Sequence, residues 1–103
     1  MKTLDLIKKQ IKSNKIILYM KGTPKNPSCC FSAKVSEILI KLNVKFGYVN
    51  VLVHKDIRNE LPKYSKFYTY PQLWIKGSLI GGSDKVEYMY INGVLEVLIN
   101  KLY

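Results

Sequence analysis

Arginine is almost missing from this sequence. Among 17 basic side chains, Arg58 is the one arginine and the rest are lysines. Arginine is the side chain that forks onto phosphate and reads guanine edges, and lysine does not replace it there. A formal charge of +10 is therefore not read as a nucleic-acid interface. The chain is also rich in Ile, Asn and Tyr, whose codons are AT-rich. Base composition that fills solvated positions with lysine accounts for most of the charge. No apolar run approaches the ~20 residues of a membrane span. Met1-Lys2-Thr3-Leu4-Asp5 does not begin a long apolar leader. A cytoplasmic protein without membrane or nucleic-acid partners is expected.

Histidine and cysteine are equally scarce. His54 stands alone in a Lys-rich loop, with no Cys or His near it in sequence, and is read as a surface residue and not a metal ligand. The two cysteines, Cys29 and Cys30, are neighbours. Adjacent Cα atoms lie about 3.8 Å apart, below the ~4.4–6.8 Å usual for a disulfide. A structural bridge within the chain is not expected, and one thiol pair points instead to redox or metal chemistry.

What is present suits one folded unit. A length of 103 residues with 48% hydrophobic side chains gives a single domain, 1–103, with its own core. Leu4, Ile7 and Ile11 predict an amphipathic helix over about 3–13. The run 16–20 is a buried strand, and the Gly/Pro-rich stretch 21–28 is a loop. Val35, Ile38, Leu39 and Leu42 place a second helix from near Cys29 to Leu42. Residues 46–51 form a strand. Asp56, Ile57, Leu61 and Tyr64 form a third helix, which Pro62 should end or kink unless it falls near the helix boundary. Residues 73–75 and 79–80 pair as a hairpin about Lys76-Gly77-Ser78. Asp84 and Glu87 resemble a capping box, and Leu95, Leu98, Ile99 and Leu102 mark a last helix. A βαβ half followed by a ββα half implies an α/β fold: a four-stranded mixed sheet with helices on both faces.

The chemistry centres on Cys29. At a helix N-terminus, free N–H groups and the helix dipole favour the thiolate. Lys21, at the end of the preceding strand, adds a cation.

Around this cysteine the chain resembles a known family. Lys21-Gly22-Thr23-Pro24-x-x-Pro27-x-Cys29-x-Phe31-Ser32 is similar to the active-site motif of monothiol glutaredoxins, K-G-[ST]-P-x-x-P-x-C-G-F-S. The likeness continues through residues 56–64, Thr69-Tyr70-Pro71-Gln72-Leu73-Trp74 and Gly81-Gly82-Ser83-Asp84. It extends over essentially the whole chain and is nearest the short single-domain bacterial type. The resemblance implies a thioredoxin-like fold and a single active thiolate, Cys29. Lys21 and Arg58 would hold the glycine carboxylate of glutathione. Thr69, Tyr70 and a cis Pro71 would meet its cysteinyl part in strand fashion. Gly82, Ser83 and Asp84 would take its γ-glutamyl end.

The resemblance further implies a labile [2Fe–2S] cluster. Cys29 of each subunit in a homodimer and two glutathiones would ligate it. BolA-type proteins and cluster-accepting apoproteins would be partners. The alternative is a glutathione-dependent thiol–disulfide oxidoreductase that removes glutathione from protein thiols. Ser32, where dithiol relatives carry their resolving cysteine, disfavours an intramolecular disulfide cycle. Three departures stand out. Cys30 replaces the usual Gly, Ser83 stands where many members have a second cysteine, and Phe67-Tyr68-Thr69 replaces Trp-Pro-Thr, which bears on the rigidity of that loop.

Overall fold

Alternating side chains of one central strand build two cores. β1 (Ile16–Met20) is buried at all five positions, as a strand covered on both faces must be. In the computed structural model, which describes residues 2–103, Ile16, Leu18 and Met20 face one way and Ile17 and Tyr19 the other. Helices cover both sides. α1 (Lys2–Ser13) presents Ile7 and Ile11 to the second face, together with Ile57 and Leu61 of α3 (Lys55–Ser65). Val35, Ile38 and Leu39 of α2 (Cys30–Lys41) cover the first face. They are joined there by Val86 of α4 (Ser83–Ile91) and by Leu95 and Ile99 of α5 (Val94–Asn100).

The sheet order is β2-β1-β3-β4, with β2 (Gly47–Asn50), β3 (Gln72–Ile75) and β4 (Ser78–Gly81). β1 runs parallel to β2, Leu18 opposite Tyr48. It runs antiparallel to β3, Leu18 opposite Leu73. β3 and β4 close as a hairpin through Lys76 and Gly77, both at positive φ, 49° and 79°. That pair of left-handed residues is the tight turn that matches strand twist. The mixed four-stranded sheet with helices on both faces is the architecture expected from the order of elements.

Two local expectations are corrected and one left open is settled. The second strand is shorter than 46–51, although the Val51 N–H still donates to the Met20 carbonyl at 2.9 Å. Pro62 falls near the boundary of α3, the case in which it need not end the helix, and α3 continues to Ser65. It sits in the final turn, where only one intrahelical bond is lost. The Asp84–Glu87 capping box does not form: α4 begins at Ser83 with Gly82 as its N-cap. Glu87 instead pairs with Lys34 of α2 at 3.2 Å. Among the described residues no helix is long and apolar enough to cross a membrane.

Candidate functional site

The strand-to-helix connection from Lys21 to Cys29 is a folded-back loop held by its own backbone. The Ser28 N–H donates to the Lys21 carbonyl at 3.0 Å, and the Asn26 N–H to the Thr23 carbonyl at 3.0 Å. Asn50 anchors it to β2, its Oδ1 accepting the Gly22 N–H at 3.0 Å. Gly22 is indispensable to this path. Its φ is +96°, and a Cβ there would lie 2.6 Å from the Ser28 nitrogen.

The loop delivers Cys29 to the N-cap of α2 in extended conformation. The thiol is lowered from its ordinary pKa. The Ser32 backbone N–H is the largest cause, burial opposes it, and the Phe31 N–H, the Lys21 charge and the Ser32 hydroxyl add to the lowering. Ser32 is fully buried, and its Oγ accepts the Lys21 backbone N–H at 3.0 Å. The hydroxyl that ties the end of β1 also favours the thiolate, as the smallest of these causes. Cys29 is half-exposed, Cys30 is exposed, and both are free thiols.

Cys29 opens on a groove of about 990 Å³. Lys21, Arg58, Thr69, Tyr70, Gly82, Ser83 and Asp84 all line it. Eight of the nine residues expected at the site are therefore gathered on one surface, counting Cys29. The ninth, Pro71, is buried beside it and follows a cis Tyr70–Pro71 peptide bond. The N-terminus of α4, Ser83 and Asp84, supplies free backbone N–H groups at the groove.

The loop ahead of β3 is firmly tied despite its altered sequence. Gln72 Nε2 donates to the Phe67 carbonyl at 2.7 Å. Ser65 Oγ donates to the same carbonyl and accepts the Phe67 N–H, both at 3.1 Å. Phe67 packs against Gly82, where a Cβ would lie 3.1 Å from its ring. These bonds tie the loop to the end of α3 and to the start of β3.

Some contributors were not foreseen. Phe31 (52% exposed) and Tyr68 (68% exposed) add aromatic walls to the groove. Ser32 acts on Cys29 and is more than a vacancy left by a resolving cysteine. Lys85 also lines the groove. Only the position of Ser32 in the first turn after Cys29 could have signalled its role. His54 is the exposed N-cap of α3, and Trp74 is buried against Tyr64, ring centroids 6.0 Å apart. Neither reaches the groove.

Residues 16–80 match the Glutaredoxin family, and that span carries the thiol, the cis peptide and most of the groove. The chain belongs to the glutaredoxin family. It is similar to Glutaredoxin 4 of Haemophilus influenzae, 57% identical over 99 residues, which is 96% of this chain and 92% of that one. Among solved structures, this glutaredoxin is similar to reduced apo GrxS14 of poplar, with 40% identity and a TM-score of 0.79, covering 97% and 89% of the two chains. A buckwheat glutaredoxin–glutathione complex shares the fold, with a TM-score of 0.85 at 19% identity over 97% and 89%. The thioredoxin-like fold implied by the sequence is the fold observed.

Proposed function

We propose that this glutaredoxin binds glutathione in the groove and carries a labile [2Fe–2S] cluster between two subunits, passing it to apoproteins. The observation that carries the reading is the pairing of one accessible, thiolate-favouring cysteine with a groove whose ends suit a small peptide. Lys21 and Arg58 offer cations for a carboxylate, the Tyr70 main chain offers strand-like bonds, and the α4 N-terminus with Asp84 suits an amino-acid head. The buckwheat relative is a glutathione complex, which supports the same ligand here.

The donor set fits the cargo only in a dimer. Among the described residues no three of His, Cys, Asp and Glu come together as a metal site. A [2Fe–2S] cluster takes four thiolates. Cys29 gives one per chain, so a second chain and two glutathiones supply the other three. Ligands that dissociate make such a cluster transferable. BolA-type proteins and cluster-accepting apoproteins are the proposed partners, and a reducing compartment such as the cytoplasm suits the two free thiols.

The test is anaerobic reconstitution with iron, sulfide and glutathione, followed by visible absorption and sizing. A coloured dimer is expected. A colourless monomer would overturn the carrier reading. The accessible Cys29 thiolate also favours a second reading, thiol–disulfide exchange. Its sulfur would attack the glutathione sulfur of a mixed disulfide and release the protein thiolate. A second glutathione would then resolve Cys29 and leave as glutathione disulfide. Rapid turnover of a glutathionylated protein, lost in Cys29→Ser, would favour this reading.

A further inference from the structure

Pro62 lies in the last turn of α3, and its ring nitrogen has no hydrogen to donate. The carbonyl left without that intrahelical donor belongs to Arg58, four residues earlier. It is not left unpaired. The hydroxyl of Tyr70 donates to it at 2.9 Å. Tyr70 comes from another part of the fold, the loop ahead of β3, and packs on the second core. Burial pushes its pKa up to about 12, although the Arg58 charge acts the other way. The hydroxyl therefore keeps its proton throughout the neutral range.

We propose that the Tyr70 hydroxyl is a positioning group: it stands in for the N–H that Pro62 lacks and fixes the Arg58 backbone, from which the guanidinium extends, relative to the Tyr70 main chain across the groove. Arg58 and Tyr70 both line that groove. One hydrogen bond thus joins the stretch of backbone that carries the Arg58 cation to the residue whose main chain faces the middle of the groove. Phenylalanine at 70 would fill the same space without the tie. The identity of the ligand rests on the glutathione reading above; the bond itself does not.

Two measurements test the two halves of this inference. Urea unfolding without ligand compares the wild type, Tyr70→Phe, Pro62→Ala and the double variant. Alanine at 62 returns an N–H to the Arg58 carbonyl. Tyr70→Phe should lower the folding constant about threefold to tenfold in the wild type, and much less when residue 62 is alanine. Equal losses in both backgrounds would overturn the stand-in role.

NMR titration of each reduced protein then gives dissociation constants for glutathione and for γ-glutamylcysteine, which lacks the glycine carboxylate. Tyr70→Phe should reduce the preference for glutathione several-fold. The double variant should recover stability but not preference, because the new N–H satisfies the carbonyl without tying it to the loop. A purely structural role would leave the ratio of the two constants unchanged, and that result would overturn the positioning role. A wild-type protein that binds neither peptide would overturn the groove reading and the positioning role together, while the unfolding cycle still decides the stand-in role.

Discussion

At Cys29 several weak donors converge on one sulfur. The N–H groups of Ser32 and Phe31, the Ser32 hydroxyl and the Lys21 charge all favour the thiolate, and the partial burial of the sulfur opposes them. Donors to an anion lower its pKa, so removing one must raise it. Alkylation by iodoacetamide, followed against pH in a Cys30→Ser background, should inflect below the ~8.5 of an ordinary thiol. Ser32→Ala and Lys21→Gln should each move the inflection upward and slow alkylation several-fold at pH 7. The Ser32 backbone N–H survives in Ser32→Ala, so that variant should retain part of the lowering. An inflection unmoved by both substitutions would show that the helix terminus acts alone. This dependence was only partly visible in the sequence. Lys21 and the helix start can be read from the motif. The bridging role of the Ser32 hydroxyl requires knowing that its oxygen also accepts the Lys21 N–H, 11 residues away.

At the scale of elements, hydrophobic period carried the reading and long-range polar partners limited it. The spacing of Ile7 and Ile11, and of Val35, Ile38 and Leu39, marks the buried helix faces because burial itself follows the helical repeat. Every helix and strand was therefore legible in order. What stayed out of reach at Pro62 and at the Asp84–Glu87 pair has one common reason. The Arg58 carbonyl is satisfied by Tyr70, 12 residues on, and Glu87 is drawn to Lys34, 53 residues back. No local pattern encodes those partners. The connection between β1 and α2 shows the reverse case, in which a local residue type is decisive. Gly22→Ala places a methyl against the Ser28 and Asn26 backbone at φ +96°. It should destabilise the fold by about 2–4 kcal/mol, combining backbone strain with overpacking. Gly77 also has positive φ, +79°, but open space beyond it, so Gly77→Ala should cost only about 1 kcal/mol. Chemical denaturation of the two variants checks the contrast, and equal losses would mean that steric contact in the loop is relieved by movement of the chain.

Charge and ligand count act on the whole molecule. On the proposed carrier reading, one sulfur ligand per chain would mean one [2Fe–2S] cluster per two chains of 11.9 kDa, or one iron and one acid-labile sulfide per chain. Cys29→Ser should leave the reconstituted protein colourless and Cys30→Ser should leave it coloured; loss of colour in Cys30→Ser would mean that the exposed neighbour is itself a ligand. The charge of +10 on each chain then sets the salt dependence. Lysines occur on every helix but α5 and in most loops, so two chains meeting at their grooves repel. The repulsion is felt across roughly 30 Å at 0.01 M salt but only about 8 Å at 0.15 M. The cluster-bridged dimer should therefore persist to lower protein concentration as potassium chloride is raised over that range, followed anaerobically by sedimentation at the cluster's visible absorbance. Binding to nucleic acid has the opposite slope, because released counterions drive it and added salt weakens it. A dimer that dissociates on adding salt would mean that attraction between unlike patches outweighs the net charge. It would make the lysines part of the subunit interface instead of a solvated coat imposed by base composition.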